Sequence, residues 1–228
     1  MNKKQCLLLV GSPRGLKSNS YKIGSYLSNK MLDNGFMVKE YLLRDFNSSN
    51  NKSLVSLMEL IRESEIIVLT SPLYVDSLPS IVIEAMEVIA EKCCTKKTGN
   101  KQGFLAVINS GFPEPVQNDT ALKICLNFTR KVDFKWLGGL KIGGGPAIGK
   151  QVLEDKQGLL KNMVTGLDMA AGRLAKGESL PEDVLSLLNK PLAPKWLYLT
   201  ILNFGWWFQA RKYNVHKKLY AMPYQDTE

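Results

Sequence analysis

Apolar residues along this chain come in short unbroken runs, set between stretches where they recur every three to four positions. The first run, Cys6-Leu7-Leu8-Leu9-Val10, sits in Gln5–Val10 and predicts a strand. Helical periodicity covers residues 18–32, and Asn34-Gly35 stops that helix before a second strand at 36–43. The alternation continues with a helix at 53–63 and a strand at 65–71 built on Ile66-Ile67-Val68-Leu69. A helix at 81–91 follows Pro79, then a strand at Gly103–Asn109, a mostly helical stretch at 116–132, a strand at 134–142 and a long helix at 151–175. Runs without polar alternation belong to strands covered on both faces, as in a parallel sheet flanked by helices. Five such strands with crossover helices predict an α/β, doubly wound domain with strand order 2-1-3-4-5.

That topology locates a site before any motif is consulted. Ligands of such sheets sit beyond the carboxyl ends of the strands, at the switch point between strands one and three. Three loops converge there: residues 12–20, 71–80 and 109–114. The first opens at Gly11 into Ser12-Pro13-Arg14-Gly15-Leu16-Lys17-Ser18-Asn19-Ser20, with a helix start directly after it. Free amides of a first helical turn and the positive end of the helix dipole aim at one spot, where an anion is stabilised. Ser12, Ser18 and Ser20 bring hydroxyl donors, and Arg14 brings a fork that matches phosphate oxygens. A simple strand-to-helix turn with Ser18 or Ser20 as N-cap would account for the serines, but it leaves Arg14 without a task.

The loop also excludes ligands. A Walker loop requires G-x-x-x-x-G-K-[ST], and here Lys17-Ser18 are in place but Leu16 stands where the second glycine belongs. The dinucleotide fingerprint G-x-G-x-x-G fails at Pro13. A terminal monophosphate, with three outward oxygens and about two negative charges near neutral pH, suits the loop better. The second loop, Ser71-Pro72-Leu73-Tyr74-Val75-Asp76-Ser77-Leu78-Pro79, is stiffened by its prolines and carries an aromatic. The third, Asn109-Ser110-Gly111-Phe112-Pro113-Glu114, has a glycine that permits close backbone approach. Two stiff, apolar, aromatic-bearing loops beside a phosphate pocket suit a flat heteroaromatic ring. Gly143-Gly144-Gly145-Pro146 misses the dinucleotide spacing and reads as a flexible turn into the last helix.

Composition narrows the function classes further. The 228 residues suit one α/β domain with an extension, and 45% of them are hydrophobic, enough for a core. Cys6, Cys93, Cys94 and Cys125 have no C-x-x-C spacing, so no metal site is expected; the adjacent Cys93 and Cys94 raise the question of a redox role. Met1-Asn2-Lys3-Lys4 leads straight into a strand, with no signal peptide, so a reducing, cytoplasmic location is expected. The single histidine, His216, lies in the tail, so no histidine base is expected at the site. A net charge of +9 points to an acidic partner: a nucleotide, an anionic membrane surface or nucleic acid.

Gly11-Ser12-Pro13-Arg14 with Ser18-Asn19-Ser20, Ser71-Pro72-Leu73-Tyr74, and Asn109-Ser110-Gly111 together resemble the flavodoxin-like NAD(P)H-dependent FMN reductase family, over about residues 4 to 175. The resemblance implies a flavodoxin-like fold and FMN as cofactor. It places the phosphate at Ser12, Arg14, Ser18, Asn19 and Ser20. It lays the isoalloxazine against Pro72, Leu73, Tyr74 and Val75 on one side, and Asn109, Ser110, Gly111 and Phe112 on the other. Some relatives carry a cysteine cluster for an iron–sulfur centre after strand three; this chain has none there. The activity implied is a ping-pong oxidoreductase, in which NAD(P)H reduces FMN and a quinone, a flavin or another small acceptor then replaces it. No protein residue need be catalytic, because FMN carries the chemistry. Arg14 sits too deep to select an NADP phosphate, so NADH and NADPH stay open. The alternatives are a flavodoxin-type electron carrier without its own nicotinamide site, and a flavin-free binding module. A homodimer or higher homo-oligomer is expected.

Composition changes near the end, so residues 1–178 are expected to form the FMN-binding domain and 179–228 a basic, aromatic-rich helical extension. Between 184 and 225 there is no acidic residue, while Lys190, Lys195, Arg211, Lys212, Lys217 and Lys218 are basic. The uncharged stretch from Trp196 to Gln209 is short of the roughly twenty apolar residues of a membrane span. The extension reads as a lid or dimer arm, as a peripheral membrane contact through Trp196, Trp206 and Trp207, or as a site for a protein partner. Nucleic acid is disfavoured, because the aromatics cluster instead of interleaving with the cations.

Overall fold

The structure is a computed structural model that describes residues 4–93, 101–149, 153 and 158–222. Strands β1 (Gln5–Val10), β2 (Met37–Leu42), β3 (Ile66–Pro72), β4 (Gly103–Asn109) and β5 (Lys135–Ile142) pair in parallel in the order β2-β1-β3-β4-β5. This is the arrangement that the unbroken apolar runs predict. Every residue of β1 and β4 is buried, whereas β2 on the edge is largely exposed.

Helices α1 (Asn19–Asp33), α6 (Lys161–Ala175) and α7 (Glu182–Leu188) cover one face, with Ile23, Leu27, Leu167 and Val184 meeting Leu8, Val10, Val68 and Val107. Helices α2 (Asn51–Glu63), α3 (Ser80–Cys93) and α4 (Asp119–Val132) cover the other, with Leu57, Val82 and Phe128 meeting Leu7, Leu9, Leu69 and Phe104. Alternate residues of one strand therefore feed two separate cores. Between Phe104 and Leu105 the pairing with β5 slips by one residue, so that Phe104 faces Trp136 but Leu105 faces Gly138. In consequence Leu137, Leu140 and Ile142 all enter the same core.

Element ends differ from the expected ones for local reasons. Helix α2 starts at Asn51 because Asn50 caps it, its Oδ1 accepting from the amides of Lys52 and Ser53 at 3.0 and 3.3 Å. The expected helix at 116–132 begins with a 3-10 turn at Pro115–Asn118 before α4. The long helix at 151–175 is corrected: α6 begins at Lys161, after a 3-10 turn at Gly158–Leu160 that Gly158 opens at φ +62°. Residues 151, 152 and 154–157 of that expectation lie outside the described residues. A four-residue helix, α5 (Gly145–Ile148), follows β5 directly.

The chain divides into two units, Met1–Leu192 and Ala193–Glu228. The first runs past residue 178 because Leu180, Val184 and Leu188 are buried in its core, and Leu180 donates its amide to the Leu137 carbonyl at 2.7 Å. The second is built on α8 (Lys195–Lys212). Among the described residues, no helix is long and apolar enough to cross a membrane.

Candidate functional site

β1 passes into the first loop through Gly11, whose amide donates to the Thr70 carbonyl at 2.7 Å. A Cβ at Gly11 would stand 2.5 Å from Val82 Cγ2, so the strand end packs on α3 only as glycine. The loop then folds on itself. Gly15 donates to the Ser12 carbonyl at 2.9 Å, and the Arg14 amide donates to Ser12 Oγ at 3.3 Å. Ser18 is the N-cap of α1: its hydroxyl donates to the Gly15 carbonyl at 2.7 Å and accepts from the Tyr21 amide at 3.0 Å.

The neighbouring polar side chains tie the loop to the rest of the site. Asn19 Nδ2 donates to the Gly145 carbonyl at 2.7 Å, and buried Ser20 Oγ donates to Asn109 Oδ1 at 2.6 Å. Lys22 Nζ donates to the Gly149 carbonyl. What remains facing outward is a compact set of donors. Asn19 and Ser20 open α1, so their amides have no intrahelical acceptor. Arg14 is exposed, and its guanidinium meets no acceptor among the described residues.

A second arginine, which the sequence reading missed, completes the electropositive surround. Arg44 follows β2, and its guanidinium lies 2.8 Å from where a Cβ of Gly15 would stand; Arg44 Nε also pairs with Asp45 at 3.4 Å. The signal was available. In the 2-1-3-4-5 order strand two is the neighbour of strand one, so a cation just beyond its carboxyl end abuts the first loop.

The second loop leaves β3 at Pro72 and is pinned where Leu73 donates to the Asn109 carbonyl at 2.9 Å. Pro72 and Leu73 are half-buried. Tyr74 and Ser77 exchange both amide-to-carbonyl bonds, at 2.9 and 3.0 Å, and close a two-residue turn. Its central residues Val75 and Asp76 have φ +46° and +58°. This is the primed turn that ordinarily selects Asn or Gly, yet a β-branched valine occupies it, 98% exposed. Tyr74 beside it is also exposed.

The third loop is held from β5. Ser110 donates to the Ile142 carbonyl at 2.9 Å, Gly144 donates to the Phe112 carbonyl at 2.7 Å, and Gly145 donates to the Ser110 carbonyl at 2.8 Å. A Cβ at Gly143 would stand 2.6 Å from the Pro113 carbonyl oxygen. The triglycine is therefore a clamp on residues 110–113, not the flexible turn that its composition suggested. Phe112 stays exposed, and a Cβ on Gly111 would meet only open space. Ser110 Oγ is buried and has no hydrogen-bond partner among the described residues.

All thirteen expected site residues thus lie at or just beyond the carboxyl ends of β1, β3 and β4: Pro72 and Asn109 end β3 and β4, Asn19 and Ser20 open α1, and the others are on the three loops. Ser18, Asn19, Ser20 and Asn109 brace the loops with their side chains. Arg14, the opening amides of α1 and Ser110 Oγ have no partner among the described residues, and Tyr74, Val75 and Phe112 are exposed. Cys6 and Cys125 lie in the cores, and burial pushes both thiols up to about 12. Cys93 ends α3 in a half-buried position, while Cys94 is outside the described residues, as is any pairing of the two. Among the described residues, no group of three or more His, Cys, Asp or Glu is placed to hold a metal ion.

No protein-family model matches the sequence, and no curated protein matches it. Solved structures do. An FMN-dependent NADH-azoreductase from Bacillus anthracis, in complex with FMN, aligns at TM-score 0.55 over 75% of this chain and 100% of its own, with 13% identity. An NADH:FMN oxidoreductase in its apo form aligns at TM-score 0.56 over 84% of this chain and 97% of its own, also with 13% identity. A flavodoxin from Streptococcus pneumoniae aligns at TM-score 0.50 over 76% and 99%, with 15% identity. With the strand order and the crossover helices, these likenesses establish the class of architecture: the chain has the flavodoxin-like α/β fold.

Proposed function

We propose that this chain is an FMN-dependent oxidoreductase that takes a hydride from NAD(P)H and passes electrons to a quinone, a flavin or another small acceptor. The carrying observation is Arg14, an exposed guanidinium without an acceptor among the described residues, beside the open amides at the start of α1. Together they form a dianion site of monophosphate size. The rest of the donor set fits the remainder of such a cofactor. Ser110 Oγ is a buried hydroxyl in want of a partner, and the open space at Gly111 admits a ring edge to the backbone. Tyr74, Val75 and Phe112 offer apolar surface on either side.

FMN, when bound, supplies the hydride-accepting ring. The protein's part is to anchor the phosphate through Arg14 and the α1 amides, orient the ring between two braced loops, and exclude water with Tyr74 and Phe112. The likeness in fold to an azoreductase and an NADH:FMN oxidoreductase supports nicotinamide as the hydride source. A homodimer or higher homo-oligomer belongs to the same reading, because the exposed apolar rim at Tyr74, Val75 and Phe112 is surface that a second copy can cover. So does action in a reducing, cytoplasmic compartment, where NAD(P)H is available. The test is direct. Purified protein, loaded with FMN, should show bound-flavin absorbance and bleach rapidly on anaerobic addition of NADH or NADPH. Failure to retain FMN removes the proposal. Retention without bleaching leaves an electron carrier in its place.

A further inference from the structure

The unit Ala193–Glu228 is built round a helix with no polar side. On α8, Leu197, Ile201, Phe204 and Phe208 recur at i, i+4, i+7 and i+11 and form one apolar stripe. Trp196, Leu199 and Trp206 project from the opposite half of the same helix. Aromatics on both halves are exposed, Trp196 at 70%, Trp206 at 63% and Phe204 at 61%, while Tyr198 between them is buried. A partner groove covers one stripe of a helix, whereas a medium that surrounds the helix covers both.

Charge identifies that medium. Residues 184–225 contain no Asp or Glu, and all six of their cations are exposed. A second copy of the segment would bring the same sign against them, so the complementary surface is anionic. The cations also stand beside aromatic rings. Arg211 lies over Trp207 at 5.3 Å and Lys212 over Tyr213 at 5.9 Å, the pairing of ring and cation found at headgroup depth. At about 1.5 Å per residue the helix is about 27 Å long, and Thr200, Asn203 and Gln209 interrupt its apolar surface. It therefore lies in the interface instead of crossing it.

We propose that α8 and the basic segment after it dock this protein on an anionic lipid bilayer, with the rings in the headgroup–acyl boundary and the cations on lipid phosphates. The inference is independent of the flavin reading. It is tested with the full chain by co-sedimentation with phosphatidylcholine vesicles, with and without about 30% phosphatidylserine. Binding should be at least about tenfold tighter to the anionic vesicles and should fall away near 0.5 M NaCl. Tryptophan emission should shift to the blue on binding. Each cation withdrawn weakens binding about fivefold, so Lys217→Gln with Lys218→Gln should lose about 25-fold. Phe204→Ser with Phe208→Ser should abolish binding while leaving the melting temperature in place, since both side chains are exposed.

Equal uptake by neutral and anionic vesicles, no uptake by either, or wild-type binding by both double variants overturns the proposal. So does a sedimentation-velocity result in which Phe204→Ser with Phe208→Ser dissociates a dimer while vesicles take up nothing; the helix is then a contact between copies. Flavin absorbance recorded on the same samples keeps the two readings apart.

Discussion

Arg14 has a guanidinium with no acceptor among the described residues, beside Ser12, Ser18, Asn19 and Ser20, whose side chains are already engaged. Replacing it with alanine should weaken FMN retention by roughly 1.5–3 kcal/mol, or about 10- to 150-fold in Kd, as for loss of hydrogen bonds to a charged group. Fluorescence titration of the apoprotein measures it, and an unchanged Kd would place the phosphate elsewhere. Val75 presents the opposite situation, a residue that suits its backbone badly. Its φ of +46° is a left-handed conformation that a β-branched side chain resists, and its exposure means packing does not explain it. Val75→Asn should raise stability by about 1 kcal/mol, read as a higher urea midpoint at constant slope. A lower midpoint would show that the turn is held by contacts valine makes. A strained residue kept at the rim of a ligand site is a common signature of pre-organisation.

At the scale of elements, the sheet and its crossovers were legible because burial on both faces leaves unbroken apolar runs, and these survive any tertiary detail. The three loops of the candidate site were legible too, since a glycine at a strand end followed by hydroxyls and an arginine is a local pattern. Their partners were not. Asn19 bonds to a carbonyl 126 residues away, and Ser20 to an amide oxygen 89 residues away, so whether a side chain faces a ligand or braces a loop depends on contacts that no spacing reveals. The triglycine after β5 went unread for the same reason: its amides hold carbonyls of a loop some thirty residues earlier. The packing of strand against helix at Gly11 makes a further prediction. Gly11→Ala should destabilise by roughly 1–3 kcal/mol through overpacking on Val82. Adding Val82→Ala should return part of that loss, so the two changes couple favourably in a double-mutant cycle. Simple additivity would mean that the strand end moves away instead.

For the whole molecule, the buried thiols set a limit at high pH. Cys6 and Cys125 each have a folded pKa of about 12 against an ordinary 9.0, because burial disfavours the thiolate. The folded state therefore holds these protons where the unfolded state has released them. The stabilisation is complete below about pH 9 and is lost as pH rises toward about 12. Urea midpoints should fall across that window, and Cys6→Val with Cys125→Ala should flatten the fall. A thiol reagent should leave both residues unlabelled in the native protein. The division of the chain was only partly visible beforehand. The change of composition near residue 181 is real, but α7 brings Val184 and Leu188 into the main core, and the unit boundary falls after Leu192.

The slip in β5 sets the parity of everything downstream of it. Leu137 stands at an odd position, Leu140 and Ile142 at even ones, yet all three point to the same side of the sheet. In an unbroken strand an odd separation turns the side chain over, so Leu140 and Ile142 would face away from Leu137; the slip absorbs one step and returns them to its side. Without the slip, the Ile142 carbonyl would turn away from Ser110 and the three glycines would fall out of step with the loop they grip. A one-residue insertion inside a strand thus keeps time for a loop of the candidate site several residues further on.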